Sequence, residues 1–473
     1  MSCAARLFNS KSDQTLFSRI TPSKEQFEIQ QARWNDLRDF LKSRLKEDTG
    51  YPMSSWLQGS YKYGTQIRPW ALGAEFDIDL GLYFEWVGGD EDGEYDPDGC
   101  KQFVQNALLD YADDEDNDAS GVEDPKERCC RISFRPDFHI DVPCYHLARE
   151  RDVRTLATET SGWEASNPKA LYKWFKELFE DATDRALVRR LVCYIKMWAA
   201  LKFEEAARPS SITLTVLVGE AMETLDRSEV GDDDDVLELV ITAIADRLDG
   251  DGEVLNPIDA TEDLNRLDTE ATGALRSRLR GFEDIARRAN GTTTEADAAE
   301  IWTEAFEHFF PMPEDLDDND NDNDNDDVAV AVRAAAAKST ALMTYAFDPQ
   351  IRVRAVSEDN ANYVKEGVNS IPAIVKNCSI RFELINASQL PPGSAIRWTV
   401  RNRGREAWSR NDIGHYSGDA YVSDEHSAYS GNHAMDLTVY QYGRIIGRRR
   451  VEINVRGLAM PPRNLPNRRI FRR

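Results

Sequence analysis

The spacing of apolar positions changes several times along the chain, and each change marks a different kind of element. Residues 22–48 place Phe27, Ile29, Trp34, Leu37, Phe40, Leu41 and Leu45 at helical intervals, with Pro22-Ser23 ahead of them as a helix start. From Phe76 the run Phe76, Ile78, Leu80, Leu82, Tyr83 and Phe84 is apolar and β-favouring, which predicts a buried strand. A short helix is expected over 100–111, and one alternating strand over 131–148. From 168 onward the period is helical again, through 184–204, the stretch beginning at Pro209-Ser210-Ser211, the segment 234–250, the segment around 264–290, and 294–310. Beyond about 348 short alternating runs return at 378–386, 395–402, 433–443 and 448–457, separated by turn clusters such as Pro391-Pro392-Gly393. That texture predicts a small β-sandwich. The fold class read from the whole pattern is α+β.

Length and charge sharpen this division. A chain of 473 residues exceeds what one core accommodates. The expected domains are 1–315, a sheet to about 160 followed by a helical half; 316–345, an acidic linker and short helix; and 346–473, the β-rich part. The linker assignment rests on LDDNDNDNDNDD at 316–327, a low-complexity tract that cannot bury itself. Residues 1–345 carry 38 basic against 72 acidic side chains, a net −34, whereas 346–473 carry 20 against 12, a net +8. Such asymmetry implies modules with different partners. Lysine is scarce, 15 against 43 arginines, and together with the Asp-rich insertions this profile resembles proteins adapted to high salt.

No run reaches the roughly 18 apolar residues of a membrane helix, and the first residues lack the apolar core of a signal peptide. A cytoplasmic protein without membrane attachment is therefore expected. Seven cysteines, an odd number with no C-x-x-C pair, indicate neither a disulfide framework nor a zinc site.

Candidate chemistry centres on Asp77 and Asp79. Side chains at i and i+2 on a strand share a face, about 6.5 Å apart at a rise of roughly 3.3 Å per residue. Two carboxylates so placed repel unless a cation joins them, and hard divalent ions take oxygen ligands of this kind. Asp141 stands on a later strand between Ile140 and Val142, again a carboxylate among β-branched residues. Gly59-Ser60 precedes the pair as a turn, and Lys196 and Ser211 follow in the helical part. His139 and His146 flank Asp141 and read as structural.

The stretches GSYKYGTQIRPW, EFDIDLGLYFEW, HIDVPCYH and VRRLVCYIKMWA with RPSSITLTVLV, in this order, resemble the nucleotidyltransferase superfamily of DNA polymerase beta. More closely they resemble its cyclic-GMP-AMP-synthase/DncV-like branch, the CD-NTases (SMODS) of anti-phage signalling. The resemblance covers residues 20–310, and the last 125 or so residues are similar to the AGS-C sensor domain that follows such enzymes. It implies a polymerase-beta-like catalytic sheet and a Mg²⁺-dependent nucleotidyltransferase, with Mn²⁺ as an alternative ion. Such an enzyme joins ATP and other NTPs into a cyclic or linear oligonucleotide second messenger for a downstream effector, in CBASS-type defence. Asp77, Asp79 and Asp141 would then be catalytic metal ligands, and Gly59, Ser60, Lys196 and Ser211 would hold the triphosphate. Ser210 rivals Ser211, either of which could instead be the helix cap.

Two other functions remain open at this level. A template-free RNA nucleotidyltransferase of the poly(A) or CCA-adding type would use the same aspartates, but a net −34 offers RNA little attraction. A non-catalytic nucleotide-binding sensor would not need all three carboxylates. For the C-terminal part, Arg397, Arg401, Arg403, Arg405 and Arg410, with Trp398, Trp408 and Arg448 to Arg450, suggest a nucleotide or nucleic-acid ligand. The alternative is that these arginines dock the domain.

The acidic surface carries the first prediction. If salt screens the repulsion within residues 1–345, thermal stability rises with KCl into the molar range. A melting temperature that stays flat between about 0.1 M and 2 M KCl would reduce the acidic tracts to ordinary loops.

Overall fold

A computed structural model describes residues 3–71, 74–135, 138–225, 231–250, 252–317 and 345–457. The expected helix at 328–344, most of the acidic tract at 316–327 and the basic tail from 461 lie outside the described residues. The chain divides into two compact units, residues 1–316 and 317–473.

In the first unit eight strands form one sheet: β1 (Met53–Gln58), β2 (Phe76–Phe84), β3 (Ala119–Val122), β4 (Cys130–Phe134), β5 (Phe138–Val142), β6 (Cys144–Ala148), β7 (Val153–Thr158) and β8 (Gly162–Ala165). β2 is central because its even-numbered side chains, Phe76, Ile78, Leu80, Leu82 and Phe84, all fall to 3% exposure or less. They pack with Leu37, Leu41, Leu45, Val104 and Leu108 of the helices Lys24–Thr49 and Pro97–Ala112. Ser23 starts the first of these with a reciprocal cap to Gln26, and Gly50 ends it at φ 74°.

The single strand expected over 131–148 is instead three. The chain reverses between Phe134 and Phe138, which pair with each other, so β4 and β5 are antiparallel neighbours. Pro143 then interrupts the ladder between β5 and β6, since proline has no N–H to donate. Its carbonyl still accepts from Leu82 N at 3.0 Å, so β5 and β6 run end to end, parallel, along one edge of β2. β1 runs antiparallel along the other edge.

The helical half comprises Pro168–Glu177, Ala182–Lys202, Ser211–Thr224, Asp233–Gly250, Thr269–Asn290 and Glu295–Phe306, with a small hairpin of β9 (Leu255–Asn256) and β10 (Asp259–Asp263). Phe8 from the N-terminal segment stands edge-on against Tyr194 and Trp302 inside it. Among the described residues no helix is long and apolar enough to cross a membrane.

The second unit is a sandwich of two sheets. One has the order β12 (Val364–Val368), β11 (Ile351–Ser357), β14 (Cys378–Leu384), β17 (Val422–His426). The other runs β13 (Ile374–Val375), β19 (Arg444–Arg456), β18 (Gly431–Gln441), β15 (Ser394–Arg401), β16 (Gly414–Gly418). Val353 and Phe382 from the first sheet meet Trp398, Leu437 and Val451 from the second in one core. The expected arginine–tryptophan surface is not arranged that way. Trp398 is fully buried in that core, and Arg401 and Arg403 are buried as well. Arg401 and Arg450 both donate to the buried carboxylate of Asp436, at 2.7 Å through each Nε. Arg448 lies 3.6 Å from the same group.

Burial alone would raise the Asp436 carboxyl, but Arg450, Arg448 and Arg401 outweigh it and hold it far below the usual range. Removing one partner of a buried ion cluster is costly, so Asp436→Ala is expected to lose about 3–5 kcal/mol in urea unfolding of the full-length chain. Because the folded pKa is depressed, the wild-type advantage is complete above about pH 4 and fades only as pH falls further. A loss below about 1 kcal/mol at neutral pH would show that the cluster does not hold the sandwich.

Candidate active site

The site is assembled by register. β2 and β5 pair in parallel with Asp77 opposite His139 and Asp79 opposite Asp141. β1 sets Gln58 opposite Asp79, and β4 sets Arg131 opposite Asp141. Residues 77, 79, 139 and 141 therefore project from the face opposite the apolar core. The three carboxylates named from the sequence come together on this face.

Their surroundings differ. Asp141 accepts a two-pronged ion pair from Arg131, Nε to Oδ1 at 2.5 Å and Nη2 to Oδ2 at 2.8 Å. Among the described residues Asp79 has no such partner. Protein surrounds it, so desolvation first, and then the charges of Asp77 and Asp141, push its carboxyl well above the ordinary range. Lys196 and Arg131 pull it back only in part. Asp77 retains more exposure, 48% of its side chain, and its Oδ1 lies 3.1 Å from His139 Nε2. The other imidazole nitrogen, Nδ1, is 2.9 Å from Glu75 Oε2. Burial would lower the His139 pKa, but Asp77 and then Glu75 outweigh burial and raise it.

Gly59 opens a five-residue helix, Gly59–Tyr63, directly after β1. Its φ is +57°, and a Cβ there would stand 1.8 Å from Asp79 Oδ2. Glycine is thus required twice, by conformation and by the nearness of the carboxylate. Ser60 follows it, half-buried. Lys196 is buried on the helix Ala182–Lys202 and donates to Thr65 O at 2.9 Å. Burial lowers its pKa, and the carboxylates of Asp77 and Asp79 partly restore it. Ser211 takes the first position of its helix and is exposed, whereas Ser210 does the capping, accepting from Thr213 N at 3.2 Å.

Three residues at this face carry no signal in a one-dimensional reading: Glu75, Arg131 and Gln58. His146 is structural, stacked on Trp86 at 4.0 Å between centroids. The register places His139 beside Asp77. The i, i+2 spacing of His139 and Asp141 was the available clue. Gln58 links two tyrosines, accepting from Tyr145 OH at 3.1 Å and lying 3.4 Å from Tyr83 OH.

Donor chemistry at this face suits a hard divalent cation. Asp77, His139 and Asp141 each offer a ligand atom within 4.8 Å of the others, and Asp77 Oδ1 is buried without a hydrogen-bond partner. Asp141 can accept Arg131 and a cation together, since an ionised carboxylate has about four lone-pair sites.

Residues 53–145 match the family model for the nucleotidyltransferase domain of DncV-like cyclic GMP-AMP synthase. That stretch is similar to the DncV-like nucleotidyltransferases. Residues 335–456 match the adenylyl/guanylyl and SMODS C-terminal sensor domain, AGS-C. A cyclic GMP-AMP synthase from Escherichia albertii is 27% identical over 96% of this chain and 97% of its own length. A c-di-GMP synthase from Roseivirga ehrenbergii is 24% identical over 46% of this chain and 63% of its own. Among solved structures, Vibrio cholerae DncV with ATP, GTP and 5MTHFGLU2 superposes with TM-score 0.56 at 17% identity, covering 67% of this chain and 99% of that one. Escherichia coli DncV bound to 3′-deoxy GTP gives TM-score 0.53 at 20% identity, over 64% and 96%. At such identities the superpositions establish the fold.

The contact between Gly59 and Asp79 yields a prediction for this DncV-like site. Gly59→Ala forces a left-handed backbone onto a β-carbon, at about 1–3 kcal/mol, and displaces Asp79. The variant is expected to melt lower and to lose about 100-fold in nucleotide transfer, as sub-ångström catalytic positioning implies. Transfer at the wild-type rate would mean that Asp79 need not be held where Gly59 leaves it.

Proposed function

We propose that this chain joins ATP and other NTPs, with Mg²⁺ or Mn²⁺, into a cyclic or linear oligonucleotide that activates a downstream effector in anti-phage signalling of the CBASS type. In this reading the enzyme is cytoplasmic, with residues 1–315 catalytic, 316–345 a linker and 346–473 a sensor. One observation carries the reading. The parallel register of β2 on β5 gathers Asp77, Asp79 and Asp141 on a single face, with Gly59 packed against them. Names of the relatives point the same way: cyclic GMP-AMP synthase and c-di-GMP synthase.

Asp77, Asp79 and Asp141 would hold the divalent ions. Bound there, such ions neutralise charge on the triphosphate and lower the pKa of an attacking ribose hydroxyl. Gly59 lets the backbone approach the triphosphate, and the Ser60 hydroxyl and the N–H groups of its turn donate to phosphate oxygens. Lys196 has donors beyond the one engaged by Thr65, and its ammonium offers a point charge to the phosphates. Ser211 remains a triphosphate donor in this reading, from the exposed first turn of its helix. For the sensor domain, the arginines turned into Asp436 are poor candidates for ligand capture. A better one is a small cavity of about 80 Å³ between the two sheets, partly open to solvent and lined by Phe382, Asn402, Asp412, His415, Glu425 and Tyr429 among others.

The assay is direct. The full-length chain is incubated with labelled ATP and GTP plus Mg²⁺ or Mn²⁺, then treated with phosphatase, and the products are weighed by mass spectrometry. A phosphatase-resistant cyclic product is expected, falling about 1,000-fold in Asp77→Ala/Asp79→Ala, the several kcal/mol expected of the metal. A polymeric ladder would favour the RNA-extending type. Wild-type product from the double variant would sink the assignment of the carboxylates.

A further inference from the structure

The ligand set of the proposed metal face holds one member that a polymerase-type reading does not include, and the inference rests on that reading of the face. His139 is 8% exposed, and its ring is clamped at one end, with Nδ1 2.9 Å from Glu75 Oε2. An ionised Glu75 can only accept, so Nδ1 carries the hydrogen and donates it. In the neutral imidazole this leaves Nε2 with a lone pair and no proton. Nε2 lies 3.1 Å from Asp77 Oδ1, and among the described residues both atoms are buried without a hydrogen-bond partner.

Two lone-pair atoms at that separation repel unless something positive lies against both. Ligand atoms each about 2.1 Å from one ion, in tetrahedral or octahedral positions, stand about 3.0–3.4 Å apart. The observed 3.1 Å falls in that interval, and an Asp141 oxygen completes a set within 4.8 Å. Glu75 behind His139 then matches the carboxylate–histidine–metal arrangement, in which the outer carboxylate fixes tautomer and ring orientation.

We propose that His139 Nε2 is a direct metal ligand beside Asp77 and Asp141, and that this nitrogen makes the site select Mn²⁺ over Mg²⁺. Mg²⁺ demands oxygen donors, whereas a first-row transition ion accepts imidazole. Mn²⁺ is the member of that series that also favours carboxylates, which supply the other ligands here.

The test uses the full-length protein without nucleotide, titrated with Mn²⁺ or Mg²⁺ by calorimetry and examined as the Mn²⁺ form by pulsed electron paramagnetic resonance. Wild-type protein is expected to bind Mn²⁺ at least about 10-fold more tightly than Mg²⁺ and to show the nitrogen modulation of a coordinated imidazole. His139→Gln should lose that modulation and about 10- to 100-fold in Mn²⁺ affinity while Mg²⁺ affinity changes little. Glu75→Gln should keep the modulation but weaken Mn²⁺ by about 10-fold. Mn²⁺ bound to wild type without imidazole modulation overturns the proposal while leaving the carboxylate site intact. That spectrum decides the matter even if His139→Gln does not fold. An imidazolium donating to Asp77, the competing arrangement, gives the same negative spectrum. Absence of any Mn²⁺ or Mg²⁺ binding would instead overturn the metal reading of the whole face.

Discussion

Repulsion among three carboxylates is the constraint around which the first unit is built. Asp77, Asp79 and Asp141 are brought onto one face by the parallel pairing of β2 with β5. Side chains alternate along a strand, so a slip of one residue would carry every carboxylate into the core and every core residue out. Ile78, Leu80, Ile140 and Val142 on the opposite face are at most 1% exposed, and each would be lost to solvent by that slip. At roughly 1.5–3 kcal/mol for each large side chain, burial outweighs the cost of crowding the acids. The core therefore imposes the register, and the register imposes the charge.

What relieves the charge is unequally shared. Arg131 grips both oxygens of Asp141, and Lys196 is held by Thr65 within electrostatic reach of Asp77 and Asp79. Neither closes on Asp79, whose raised pKa records the imbalance. A face left in that state is stabilised by whatever positive species binds it, because ligands that bind only the folded form shift its stability by mass action. Gly59 belongs to the same balance. A side chain there would displace Asp79, the carboxylate that its neighbours push up.

Reading along the sequence recovered what is local and lost what is cross-strand. Asp77 and Asp79 were legible because two acids at i and i+2 inside a β-favouring run need an explanation. Asp141 was legible for the same reason, and the helix start at Ser23 followed from its cap. Periodicity tells which face a residue occupies but not which strand lies beside it, so the pairing of His139 with Asp77 and of Arg131 with Asp141 was invisible. Pro143 shows the limit from another side. Its missing N–H splits one alternating run into β5 and β6 without changing the register on β2. At Ser210 and Ser211 two equivalent residues competed for one cap, and only the backbone geometry assigned it. In the second unit the strands were legible but the facing was not. Trp398 and Val400 turn into the core, while Arg401 leaves on the other face, which Asp436 on β18 makes an ion cluster.

The two units thus bury charge with opposite outcomes, and the difference separates scaffold from site. Asp436 is surrounded by cations, both of its oxygens accept from guanidinium groups, and its carboxyl is driven down. Such a cluster has its counter-charge built in and gains nothing from a bound cation. Asp79 is surrounded by anions and driven up. Desolvation raises both carboxyls; at Asp436 the arginines reverse it, and at Asp79 the neighbouring acids add to it. A fold that keeps a half-buried carboxylate in unfavourable company, and excludes a β-carbon at Gly59 to do so, forgoes stability that a single arginine could have supplied. Such a forfeit fits a face whose counter-charge arrives with the substrate and its metal.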